Sequence, residues 1–298
     1  MNTKHLFHTL AGSRGIALVS AFLFTFLTCA SAATWRTGTF FPADNTDTYF
    51  FDPRKAEQLT PERKRQLEVA LFNELYMMGE GNREARLRRK QRVADMAREG
   101  FEVAQIAYDL YAFEGGILQT FKQKSFDRLK ELADTGDSSA ACFLARVMRN
   151  FPRFKTRDGR PNHEAVYPYI SHAANNGNGY CARLLSGYYR IGLSPIEQDI
   201  ETAIYWMLTA GHRDDLSSQI ALAHWYLQGS YVTQSWTKAN CWIKKSLDKD
   251  SDQTKSVMTI YKRKARQARS NGDHSAPKWF TQAGNCQEEI GMHDYKVE

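Results

Sequence analysis

The eight histidines of this sequence are its first candidates for acid–base or metal chemistry, and their spacing argues against both. In the body of the chain His163 and His172 stand nine residues apart, with the helix-unfriendly Pro168 between them. Catalysis needs groups that converge on one point. The sequence holds no Gly-x-Ser-x-Gly elbow, no phosphate loop closing in Gly-Lys-Ser/Thr, no His-Glu-x-x-His, and no Ser-x-x-Lys with its companion motifs. Asn175-Asn176-Gly177-Asn178-Gly179 is glycine-rich, but no strand precedes it, so it reads as a turn. We therefore expect no catalytic residue, no metal and no cofactor. The tandem acids Asp214-Asp215 suit a helix start, where a carboxylate accepts unpaired amide donors and complements the dipole. Cross-linking by cysteine and binding by arginine remain.

Cysteine chemistry depends on compartment. Residues 1–32 pass from a basic start (Lys4, His5, Arg14) through an apolar run, Ile16 to Leu27, to the small triplet Ala30-Ser31-Ala32. That layout is a cleaved signal peptide. The run is too short for a membrane-spanning helix, which needs about 20 apolar residues. We expect a periplasmic protein with no transmembrane helix in the mature chain. Cys29 raises the alternative of a lipid anchor, but Phe26-Leu27-Thr28 lacks the small residue wanted before such a cysteine. Export leaves Cys142, Cys181, Cys241 and Cys286 where disulfides persist. Three pairings are open. A Cys241–Cys286 bridge would staple the tail to the end of the fold and is the one we favour, with buried free thiols as the alternative for Cys142 and Cys181.

With 42% apolar residues, 12% aromatics and only 8 prolines, the chain can bury a sizeable core. Its net charge of +7 falls to +5 once Lys4 and Arg14 leave with the leader. No zinc-finger, RRM or KH motif accompanies that charge, so nucleic acid is not expected. An acidic protein surface or a phospholipid headgroup suits it better.

The elements that must position these residues show themselves by repetition. A first signature places small or aliphatic residues and an aromatic at i, i+3, i+4 and i+7. It reads Ala104, Ala107, Tyr108, Tyr111, then Ala141, Leu144, Ala145, Met148, then Ala182, Leu185, Ser186, Tyr189, then Gln219, Leu222, Ala223, Tyr226, at offsets of 37, 41 and 37 residues. A second is the glycine three residues after the aromatic, as in Tyr189 to Gly192 and Tyr226 to Gly229, where a helix can end left-handed. In the third, small residues close a second helix before a turn: Leu132-Ala133 before Gly136, Ala173-Ala174 before Gly177, Ala210-Gly211 before Asp214. That second helix brings Tyr169, Trp206 and Trp242 to interlock with the small positions. Thr60-Pro61 opens an earlier helix to about Met78, and another runs from Arg83 to Arg98.

The pattern resembles the Sel-one-like repeat family of the tetratricopeptide-like superfamily. The matching stretches are Leu185-Ser186-Gly187-Tyr188-Tyr189-Arg190-Ile191-Gly192, Lys238-Ala239-Asn240-Cys241-Trp242 and Ala173-Ala174-Asn175-Asn176-Gly177. The first units depart from it, with Glu114 and Phe151 where the turn glycine belongs. The resemblance implies an all-α, right-handed solenoid of about five antiparallel helix pairs. We expect an irregular aromatic arm over 33–59, the repeats over 60–250, and a capping helix and tail over 251–298.

Transferred from the tetratricopeptide arrangement, the groove register selects Gln105, Asp109, Arg146, Arg149, Arg183, Arg190 and His224 as partner-binding residues. Planar guanidinium groups each hold two oxygens of a carboxylate or phosphate. The basic run Arg86, Arg88, Arg89, Lys90, Arg92 is expected to be a solvated outer face. Some cysteine-rich secreted relatives bind or hydrolyse beta-lactams, but this chain lacks their cysteine pair per repeat. The resemblance implies a non-enzymatic protein-binding function. Exported relatives include immunity proteins that neutralise toxic effectors, among them those of type VI secretion, by occluding an acidic cleft. An envelope scaffold or regulatory adaptor is the alternative.

Overall fold

The computed structural model describes residues 49–111, 122–247, 251–273 and 275–276, all within one compact unit that begins at Thr48. The expected signal peptide, Cys29, Cys286 and most of the aromatic arm lie outside the described residues. A single turn of helix, α1 (Pro53–Ala56), is followed by α2 (Pro61–Tyr76), α3 (Arg83–Arg98), α4 (Glu102–Leu110), α5 (Gln123–Asp134) and α6 (Ser138–Asn150). Then come α7 (His163–Asn175), α8 (Gly179–Ile191), α9 (Ile200–His212), α10 (Leu216–Gln228), α11 (Trp236–Leu247) and α12 (Asp252–Ser270). From α3 onward each helix packs on the next, so the fold is an all-α solenoid. Its A helices are α4, α6, α8 and α10; its B helices are α5, α7, α9 and α11.

One turn chemistry, repeated, builds the stack. After a B helix the chain reverses through Gly136 or Gly177 at φ of 95° and 102°, and Asp214, at φ 63°, stands in the glycine position of the third turn. The next amide reaches back five residues, as Asp137 N–H to Leu132, Asn178 N–H to Ala173 and Asp215 N–H to Ala210, closing the B helix. The same residue's side chain then accepts an amide of the new A helix, from Ala140, Cys181 and Ser218, each at 2.8 Å. Asp137, Asn178 and Asp215 thus finish one helix and start the next.

Between pairs, small residues receive large ones. Ala104, Ala107, Ala141, Ala145, Ala182 and Ala223 are fully buried. Gly211 is pressed so closely that an added Cβ would lie 2.7 Å from Leu222 Cδ1 and 2.8 Å from Trp242 Cζ3. At the amino-terminal end the last arm residues cover the stack. Phe50 packs edge-on against Tyr108 at 5.0 Å, and the Arg98 guanidinium lies 4.3 Å from the Phe50 ring centre. At the other end α12 buries Thr254, Val257, Tyr261 and Ala265 and turns Lys255, Lys262, Arg263 and Arg266 outward.

The earliest pair differs from a simple extra repeat. Thr60 caps α2 and Pro61 occupies its first position, as the sequence indicates. The pair is held by Arg63 with Glu99 and by Arg92 with Glu74. However, α2 buries Leu67, Glu68, Leu71, Phe72, Asn73, Glu74 and Leu75, more than a terminal helix with one covered face can hide. Its remaining face runs across the amino-terminal ends of α6, α8, α10 and α12. Leu67, Leu71, Phe72 and Leu75 join the core that extends to α8, and Met77, just beyond α2, joins the second core around α9 to α12.

Candidate docking face and its arginines

The A helices place the expected binding residues, and α2 decides which of them stay open. Lys64 Nζ reaches the Asp137 carboxylate of the α6 cap at 2.7 Å. Glu68 accepts the Ser139 hydroxyl. Phe72 stacks on Tyr180 of α8, rings 5.1 Å apart and 22° from parallel. Asn73 uses both ends of its amide, donating to the Asp214 carbonyl at 3.0 Å and accepting the Leu216 amide at 3.1 Å. Tyr76 meets Gln253, and the Glu80 carboxylate takes the Ser251 hydroxyl and the Asp252 amide at the start of α12. The capping residues that open successive A helices therefore also dock α2. Periodicity identified α2 as a helix but not as an occupant; the signal was the presence of Glu68 and Asn73 among its apolar positions.

Four of the seven expected binding residues are engaged inside the molecule. Buried Gln105 accepts the amides of Phe50 and Phe51 at 2.7 and 3.3 Å, holding the arm. Asp109 holds Lys122 at 3.1 Å and the Ser125 hydroxyl at 2.8 Å, tying α4 to α5. Arg146 donates to the Tyr180 hydroxyl at 2.8 Å and to the Leu75 carbonyl at 2.9 Å, a cation placed at the negative end of α2. Arg183 pairs with Asp215 at 2.9 Å and lies 4.7 Å from the Tyr180 ring centre. These groups organise the stack: the arm engages Gln105 and α2 engages Arg146, while Asp109 and Arg183 take partners from neighbouring helices that the sequence register cannot show.

Arg149, Arg190 and His224 remain on the carboxyl-terminal halves of α6, α8 and α10, each half-buried. Among the described residues no carboxylate lies within ion-pair distance of Arg149 or Arg190. The Nε atoms of Arg146 and Arg149 are buried without an acceptor. His163 Nδ1 lies 2.9 Å from the Tyr188 hydroxyl, with the rings edge to face. Burial, and then the charge of Arg149, hold His163 below the ordinary histidine range. Burial alone would raise Tyr180, but Arg146, Arg183 and Arg149 outweigh it and draw its hydroxyl below the ordinary tyrosine value. The three guanidinium groups all act on Tyr180, and among the described residues Asp215 is the only acid ion-paired with any of them.

Cys142 and Cys181 form a disulfide, Cα atoms 5.8 Å apart, that ties α6 to α8. Both sulfurs are buried, and the free-thiol alternative for this pair falls. Cys241 is also disulfide-bonded; Cys286, its favoured partner, lies outside the described residues. Arg89 of the basic run is buried and donates to the Glu80 carbonyl, and Arg92 pairs with Glu74, so that run is only partly a solvated face. Among the described residues no three His, Cys, Asp or Glu side chains converge as metal ligands, and no helix is long and apolar enough to cross a membrane.

No protein-family model matches the chain, and no curated protein matches it either. Among solved structures it is similar to a Sel1 repeat protein from Oxalobacter formigenes, at 23% identity and a TM-score of 0.38, over 46% of this chain and 98% of that one.

Proposed function

We propose that this protein is an exported, non-enzymatic binding solenoid that captures another protein on the part of the A-helix face that α2 leaves open. One observation carries the reading: α2 fills the amino-terminal halves of α6, α8 and α10, while the half-buried Arg149, Arg190 and His224 lie beyond it on their carboxyl-terminal halves. Ile191 and Tyr231, 57% and 46% exposed, lie at the ends of consecutive A helices, and Tyr231 rests on Trp225 at 4.7 Å. Arginine and large aromatics at a surface are the residue types that dominate protein interfaces. Tyr231 also adopts φ 66°, a conformation that costs a non-glycine residue about 1 kcal/mol or more and that is retained at working surfaces.

The finer reading is an immunity or inhibitor protein of the periplasm that occludes the acidic cleft of a toxic effector. Its basic, unpaired arginines would face the carboxylates of such a cleft, giving charge complementarity that speeds capture. The test asks whether a neighbouring gene encodes a secreted toxin and, where one does, co-expresses the two in the periplasm. Growth should be restored by the wild type and lost with Arg149→Glu combined with Arg190→Glu, at an unchanged melting temperature. Growth that stays poisoned by wild-type co-expression removes the immunity reading. Restored growth with the double variant removes the docking face.

A further inference from the structure

Arg149 presents an unanswered charge. Arg183 has Asp215, and Arg146 has the carbonyl end of α2, but Arg149 has neither. Its Nε–H is buried without an acceptor, as is that of Arg146 one helical turn away. A buried donor left without an acceptor is costly, so the site favours an occupant that brings an acceptor. The charge of Arg149 acts on the imidazole of His163, whose Nδ1 lies 2.9 Å from the Tyr188 hydroxyl. In the tautomer in which Tyr188 donates to Nδ1, the imidazole proton sits on Nε2 and makes the ring a donor there. His163 also opens α7, where the Asn162 side chain accepts the Ala165 amide at 3.1 Å. The nearest acid in sequence, Glu164, is engaged by the Ser194 hydroxyl at 3.0 Å.

We propose that Arg149, backed by Arg146 and flanked by His163, seats an oxyanion, and that its natural occupant is a carboxylate of the captured protein. The choice of carboxylate rests on the protein-binding reading; the seat itself does not. A guanidinium offers a carboxylate two parallel N–H donors, and the neighbouring imidazole N–H adds a third from another helix. Arg146 contributes field more than contact, because each of its Nη atoms is already bonded, one to the Tyr180 hydroxyl and one to the Leu75 carbonyl.

The probes are sodium acetate and sodium phosphate, with sodium chloride at matched ionic strength as control. The readouts are the His163 imidazole and Arg149 Nε–H resonances of the disulfide-intact protein. The expected result is a saturable shift of both resonances with acetate, absent with chloride. The His163 response should be lost in Arg149→Gln and partly retained in Arg149→Lys, which keeps the charge but not the fork. A linear response equal to that of chloride, or an unchanged response in Arg149→Gln, overturns the seat. Saturation by phosphate alone overturns the carboxylate assignment and points to a phosphoryl group. Normal neutralisation by Arg149→Gln, in the co-expression assay, severs the seat from the partner while leaving protein capture intact. If Arg149→Gln unfolds, competition between acetate and phosphate on the wild type decides the same question.

Discussion

At the scale of single residues, the side chains that look most like a binding site hold the molecule together instead. Glu68 shows the electrostatic consequence. Burial pushes its carboxyl above the ordinary range, and the hydrogen bond from Ser139 only partly offsets this. A carboxyl raised in the folded state contributes stability that is complete below its unfolded value near 4.5 and is lost as pH climbs through the folded value. Glu68→Gln, which retains an acceptor for Ser139, should raise the melting temperature at neutral pH by a few degrees. The advantage should vanish at about pH 4, where both states of the wild type are protonated; thermal unfolding at the two pH values checks it. His163 has the opposite sign. Its depressed value means stability that is present above the ordinary histidine pKa and is lost as pH falls through the window beneath it. Arg149→Gln should move the His163 titration upward, as followed by NMR, because one of the two causes of its depression is removed.

At the scale of elements, α2 and the interlocked hairpins make separate demands. Asn73 alone satisfies a carbonyl and an amide at the α9–α10 turn. Asn73→Ala leaves the buried Leu216 amide without its acceptor and should cost about 1–3 kcal/mol, measured by urea unfolding at unchanged helix content. Gly211→Ala tests the other contact. Its Cβ would meet Leu222 and a Trp242 ring that is itself fully buried. The expected loss is about 1–3 kcal/mol, the usual cost of overpacking a filled core, and Trp242→Leu in the same chain should recover part of it. Full stability in Gly211→Ala would mean that the α9–α11 contact is looser than the structure indicates.

For the whole molecule, long-range ties matter most. The Cys142–Cys181 disulfide closes a chain segment of 39 residues and links two A helices rather than the two helices of one pair. Replacing both cysteines with alanine should cost about 4 kcal/mol on chain-entropy grounds, lowering the melting temperature by about 10 °C. A melting temperature within a degree or two of wild type would show that the bridge adds little to what packing already secures. Charge is also distributed at this scale. Lys255, Lys262, Arg263, Lys264, Arg266 and Arg269 against Asp252 leave α12 with +5. Since Lys4 and Arg14 carry the other +2 of the chain, everything else is balanced. The surplus is therefore a property of the closing helix, which needs a polar outer face, more than of the docking face.

The all-α class, the spacing of the repeats and the caps at Thr60 and Asp215 were legible in the sequence because they are local. Helical periodicity, a proline at the first position, and an aspartate after a reversing residue act over a few residues wherever the chain goes. The signature residues from Ala104 to Tyr226 pack where their period places them. What the tertiary structure alone decided is which half of the A-helix face is open. Glu68 and Asn73 between residues 61 and 76 mark a second buried face, but nothing there states that it will lie across α6, α8, α10 and α12. That choice comes from contacts such as Lys64 with Asp137 and Asn73 with Leu216, separated by 73 and 143 residues. It converts Arg146 from an expected ligand-binding group into an internal anchor, as Asp215 does for Arg183, and among the described residues it leaves Arg149 without an ion-pair partner. Residue type and register were written locally, but occupancy and residual charge are sums over distant segments, and only the folded chain performs those sums.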